Sequence, residues 1–124
     1  MNALPELVSA YLIHYRSKDD ALAWAYEAVD CAMHDLEHGV SLCLALIEAA
    51  TNDAEIAYVA SGPLEDLLTR VGCAAAEALE APARRSSKVR LALSCVWLSP
   101  KASAYKKWYS LTQQYAYKNQ GVGF

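Results

Sequence analysis

Ala60-Ser61-Gly62-Pro63-Leu64-Glu65-Asp66-Leu67-Leu68-Thr69-Arg70-Val71-Gly72 decides the fold, because it spells out one helix together with both of its boundaries. Gly62 permits a turn, and Pro63, with its fixed φ, suits a first helical position. Glu65 and Asp66 then lie where carboxylates complement the positive end of the helix dipole. Leu64, Leu67 and Leu68 point toward a core, and Gly72 stops the run.

The same grammar extends in both directions. Upstream, Pro5 followed by Leu7, Val8, Tyr11, Leu12 and Tyr15 has the i, i+3, i+4 spacing of an amphipathic helix. Ser17-Lys18-Asp19-Asp20 supplies capping residues for a long second helix from Ala21 to about Glu37, ended by Gly39. Val40 to Ala50 gives a third, and Asn52-Asp53 caps a short fourth through Val59, before Ser61-Gly62-Pro63 breaks the chain. Downstream, Ala74 to about Leu79 is helical, Pro82 interrupts, and Ser86-Ser87 cap a helix from Lys88 to Trp97. Ser99-Pro100 opens a last helix through about Tyr117. The fold class expected is therefore all-α, with about seven or eight short helices packed as antiparallel pairs in an irregular HEAT-like stack. Residues 1–118 form one domain, and residues 119–124 read as a flexible tail. On the apolar stripes of their helices, Leu67 and Trp97 are expected in the core.

Composition agrees with helices. Of 124 residues 55% are apolar, with a single Phe, and Ala and Leu dominate over β-branched residues. No basic residue precedes the first apolar stretch and no apolar run approaches the 20 or so residues of a bilayer span, so neither a signal peptide nor a membrane segment is expected. Cys31, Cys43, Cys73 and Cys95 sit among Ala, Leu and Val without any C-x-x-C pair, which reads as buried free thiols in a reducing, cytoplasmic setting.

Charge is the unusual feature. Residues 1–80 hold all 14 acids against Arg16, Lys18 and Arg70, a net charge of −11, whereas residues 81–124 hold eight bases and no acid. Either the halves attract each other within the fold, or one of them meets a charged partner.

The Gly-Pro-Leu-Glu-Asp-Leu-Leu run at 62–68 resembles the signature of a bacterial family, the domain of unknown function 6869. Ile47-Glu48-Ala49-Ala50 upstream, Arg90-Leu91-Ala92-Leu93-Ser94-Cys95-Val96-Trp97 downstream and Trp108 beyond it extend the likeness over residues 40–110. The resemblance implies a small all-helical, HEAT-like domain and carries no activity with it.

Two clusters invite chemistry. His34-Asp35-Leu36-Glu37-His38 matches H-x-x-E-H, in which two His one turn apart hold zinc and the Glu acts as base. A third ligand is not evident, so the expectation is no metal, no other cofactor and no catalytic residue. Lys101, Lys106, Lys107, Tyr105, Trp108, Tyr109, Tyr115, Tyr117 and Lys118 mix cations with aromatics, as nucleic-acid surfaces do. Helical spacing places Tyr105, Trp108, Tyr109 and Tyr115 near one stripe instead, and nucleic acid is not the expected partner. The reading is a protein-binding module of the bacterial immunity-protein or antitoxin type. It would block a basic toxin through Asp30, Asp35, Glu37 and neighbouring carboxylates. The alternatives are a helical scaffold or adaptor and, third, a zinc-dependent hydrolase built on His34, Glu37 and His38.

Overall fold

The computed structural model describes residues 4–18 and 20–122, with side chains as far as Gln114. Among these residues the chain is helical and contains no strand. In order they form α1 (Leu4–Ser17), a 3₁₀ turn (Asp20–Leu22), α2 (Ala23–Ala32), α3 (Leu36–Ala49) and α4 (Asp53–Val59). A π-helical turn (Ala60–Leu64) leads into α5 (Glu65–Arg70), followed by α6 (Cys73–Ala78), α7 (Glu80–Arg85), α8 (Ser87–Cys95) and α9 (Tyr105–Val122). The helix α9 continues through Val122, where a tail from 119 was expected; residues 123–124 lie outside the described part.

The central element is α3, which touches α1, α2, α4, α5, α6 and α8. Its inward stripe, Gly39, Leu42, Cys43, Leu46 and Ile47, is buried throughout. Around it close Tyr11 and Leu12 of α1, Val29 of α2, Leu67 and Leu68 of α5 and Leu93 of α8. Polar caps fix where the helices start: the Asn52 side chain accepts from the Glu55 amide (2.9 Å) and the Ser86 hydroxyl from the Val89 amide (3.3 Å).

Several boundaries differ from expectation: Pro82 lies inside α7, where it was expected to interrupt, and the last helix begins at Tyr105 and not directly after Ser99-Pro100. Three further differences have a local physical reason. The second helix stops at Ala32 because Asp35 begins a new one, its carboxylate accepting the His38 amide at 2.8 Å. Gly39 consequently lies inside α3 and terminates nothing. It is there for space: a Cβ at residue 39 would stand 2.4 Å from Leu67 Cδ1 and 3.1 Å from the Ala32 carbonyl. The third case is the expected break at Ser61-Gly62-Pro63. Asp53 to Arg70 runs as one continuous helical rod, and Pro63 is inside it. Proline cannot donate to the carbonyl four residues back, and its ring collides with that group. A single π turn widens the ladder at this point, with the Glu65 amide reaching back to the Ala60 carbonyl.

Gly62 thus serves no turn, and its backbone is not in the left-handed region. A Cβ there meets only the Tyr11 hydroxyl at an ordinary 3.5 Å. Gly62→Ala is therefore expected to leave stability unchanged or raise it by about 0.5–1 kcal/mol, since Ala is the better helix former. A loss above about 1 kcal/mol on urea denaturation would show that the π turn requires glycine. Gly72 is the real stop, with φ of +89°.

Candidate protein-binding surfaces

The H-x-x-E-H residues do not share a helix. His34 lies in the turn between α2 and α3, ahead of the Asp35 cap, while Glu37 and His38 belong to the first turns of α3. The His34 Nε2 atom lies 3.2 Å from Arg70 Nη1, a position that faces a cation. The two imidazoles are therefore not presented one turn apart as the motif requires. Among the described residues no group of three or more His, Cys, Asp and Glu side chains is arranged to hold a metal ion.

Asp30, Asp35 and Glu37 fall on one stretch of surface but have different work. Asp30 pairs with Arg70 (2.9 Å), which also donates to the Asp30 carbonyl at 3.0 Å and so covers the C-terminal end of α2. Arg70 is held in turn by Asp66 at 3.8 Å. Asp35 is the α3 cap and lies 3.5 Å from His38 Nδ1. Glu37 is exposed, and among the described residues it forms no ion pair.

Helical phase spreads the outward face of α2 from Tyr26 to Trp24, with Glu27, Asp30 and Cys31 between them. Trp24 is 40% exposed, Tyr26 53% and Leu36, at the start of α3, 37%. Residues 23–37 carry four carboxylates and neither Lys nor Arg. Large apolar side chains thus stand among acids over one helix-turn-helix corner. The exposed aromatics were not legible in the sequence, because Trp24 and Ala25 look alike to a periodicity argument until the buried side of α2 is known.

A second surface lies where α8 hands over to α9. Trp97, expected in the core, is 85% exposed. The helix ends at Cys95, and Val96 adopts an extended backbone with ψ of 141°, so side chains alternate from there on. Val96 and Leu98 turn inward while Trp97 turns out. Its amide donates to the Glu65 carboxylate at 2.9 Å, which ties the loop to α5 and gives Glu65 of the 60–72 run a job beyond helix electrostatics. The inward tryptophan is Trp108, whose indole N–H donates to the Leu93 carbonyl at 3.0 Å. Between these elements lies a groove of about 480 Å³ walled by Trp97, Pro100, Tyr105, Trp108, Tyr109 and Gln113. The signal that could have revealed it is Val-Trp-Leu-Ser-Pro at 96–100, apolar alternation running into a proline, which favours extended backbone before it.

A family model described as a family of unknown function, DUF6869, matches residues 14–113. This chain belongs to DUF6869. The match takes in both surfaces and leaves out most of α1 and the last turns of α9. No curated protein and no solved structure matches the chain.

Within this DUF6869 chain part of the charge asymmetry is consumed internally. Lys107 reaches Glu80 at 3.0 Å and Arg84 reaches it at 3.3 Å, and the two cations, Lys107 foremost, hold the Glu80 carboxyl below its ordinary range. Lys88 donates to the Glu48 and Ala50 carbonyls at the end of α3, a cation placed where the helix dipole is negative. In the acidic half, Arg16 pairs with Glu55, which is 3% exposed and also accepts from the Thr51 amide (2.8 Å) and hydroxyl (3.0 Å). Lys101 and Lys106 have no acidic partner among the described residues. The thiols differ from expectation too: Cys43 is buried and pushed up to about 12 by desolvation, but Cys31 and Cys73 are exposed. No described helix is long and apolar enough to cross a membrane.

Proposed function

We propose that this protein is a protein-binding module whose α2–α3 corner docks a basic partner. The observation that carries the reading is the exposure of Trp24, Tyr26 and Leu36 among Glu27, Asp30, Asp35 and Glu37, with no Lys or Arg between residues 23 and 37. A few side chains carry most of the binding energy at protein interfaces, with Trp and Tyr enriched among them, and surrounding charge steers the encounter. In this arrangement Trp24 and Leu36 are the anchors and Glu27 and Glu37 the steering charges. Asp30 and Asp35 contribute potential from fixed positions, because Arg70 and the His38 amide already hold them. The partner class that fits is a basic nucleic-acid-attacking toxin domain, blocked in the manner of an immunity protein or antitoxin.

The test is a partner recovered by cross-linking from residue 24 and then reconstituted with purified protein at defined stoichiometry. Trp24→Ala is expected to weaken that complex by about tenfold or more, mainly through faster dissociation, measured at a temperature where the thermal melt shows both proteins fully folded. Equal affinity of Trp24→Ala and parent would remove the corner from consideration.

A second reading, a scaffold or adaptor that joins two proteins, is favoured by the Trp97 groove, which shares no wall residue with the α2–α3 corner.

A further inference from the structure

We infer that the Trp97 groove is a second docking site, independent of the α2–α3 corner, and that its occupant is an apolar segment of a partner protein bearing Asp or Glu beside its anchor residue.

Size and shape come first. A groove of about 480 Å³ lies within the range of ligand-sized sites and has room for large side chains. Four aromatic rings, Trp97, Tyr105, Trp108 and Tyr109, line it together with Val96, Leu98 and Pro100, which suits an aromatic or long aliphatic anchor. An indole that is 85% exposed keeps most of its apolar surface in water until something covers it, so covering it is the main gain on offer.

The walls are also pre-organised. Trp108 is fixed through its N–H to Leu93, and the Trp97 backbone is fixed through its N–H to Glu65. Tyr105 packs against Trp108 and Tyr109 with ring centroids 5.6 and 5.8 Å apart. With the Tyr105, Trp108 and Tyr109 side already packed and the Trp97 backbone anchored, the ordering left to binding is mainly that of the exposed Trp97 side chain.

Charge identifies the occupant. Residues 94–113 contain Lys101, Lys106 and Lys107 and no acid. Lys107 is taken by Glu80 on the far side of α9. Lys101 follows Pro100 of the groove wall, and 100° of helical rotation per residue sets Lys106 beside Tyr109 and Gln113 on its edge. Glu65 keeps its charge while it accepts from the Trp97 amide, but it is not among the residues that line the groove. An acidic apolar segment therefore gains ion pairs at the rim, whereas a basic one meets uncompensated cations.

The experiment pans a random peptide display library against the immobilised full-length chain, with Trp97→Ala as the counter-target. Trp97 is solvent-exposed, so the variant is expected to fold, and its thermal melt verifies this before panning. Winning peptides should combine an aromatic or large aliphatic residue with Asp or Glu. Synthetic copies should lose about tenfold or more in affinity for Trp97→Ala and roughly three- to tenfold for Lys101→Glu/Lys106→Glu, and should bind Glu37→Lys as they bind the parent. Winners that depend on Trp97 but are neutral or basic would overturn the charge assignment. Absence of any Trp97-dependent winner would overturn the site. Trp97-dependent binding of a single-stranded oligonucleotide more tightly than of the best peptide, or Trp97-dependent self-association in sedimentation, would replace the proposed occupant with nucleic acid or a second copy of the chain.

Discussion

Leu67→Ala is expected to lower the unfolding free energy by about 3–5 kcal/mol, the upper part of the range for a fully buried leucine. Leu67 has no exposed surface and its Cδ1 fills the space where Gly39 has no side chain. The truncation thus opens a void against α3 that helix backbone on both sides prevents from collapsing. Gly39→Ala provides the complementary case. At an exposed helix position that change stabilises, but here the new methyl collides with Leu67 and presses on the Ala32 carbonyl, so a loss of about 1–3 kcal/mol is expected. The double variant is expected to be more stable than the two losses added together, because removing Leu67 frees the space that the methyl introduced by Gly39→Ala needs. Urea denaturation of the parent, both single variants and the double variant measures this, and strict additivity would place the steric conflict elsewhere.

The second large effect is electrostatic. The Arg16 guanidinium donates two hydrogen bonds to Glu55, and together with the two Thr51 bonds it holds the buried carboxyl at about 2, against a usual 4.5. A depressed carboxylate contributes stability that is complete above about pH 4.5 and is lost as pH falls toward 2. The full shift corresponds to about 3 kcal/mol, which the 43% exposure of the Arg16 side chain reduces to about 1–2 kcal/mol. Arg16→Ala is therefore expected to destabilise the fold at pH 7, where Glu55 is left charged and buried, and to do so less and less as pH falls from 4.5 to 2. A cost that does not change over that interval would mean that Arg16 stabilises by packing its alkyl stem and not through Glu55.

How much of this is legible in the sequence depends on the range of the forces involved. Asn52, Ser86 and Gly72 act within four residues, and each is readable as a cap or stop. Leu67 is readable as core because α5 keeps a helical period. Gly39 misleads because its role is a contact with the side chain of Leu67, far along the chain, and a glycine that makes room looks the same in sequence as one that ends a helix. Pro63 misleads for a related reason: proline usually opens a helix, and the π turn that admits it in mid-rod is offset by packing that only the fold reveals. Trp97 fails because one residue of extended backbone at Val96 exchanges inside for outside.

The candidate sites follow the same pattern. The acidity of residues 23–37 is plain, but the Arg70 contacts that occupy Asp30 span 40 positions. The three carboxylates named from sequence are therefore unequal, with Glu37 the one left to face solvent unpaired. The oppositely charged halves meet each other in part. Glu80 and the end of α3 take up some of the cations, and Lys101 and Lys106 remain beside an aromatic groove.

The proposal that the α2–α3 corner docks a basic protein is tested most directly by the association rate constant with the reconstituted partner, measured from low to high salt. Steering by exposed carboxylates predicts a rate that falls steeply with ionic strength while dissociation changes little. Glu27→Lys/Glu37→Lys should slow association at low salt by about tenfold or more and flatten the salt dependence, whereas Lys101→Glu/Lys106→Glu should leave it unchanged. A rate indifferent to salt and to Glu27→Lys/Glu37→Lys, or one lost only when the two lysines are reversed, would contradict it.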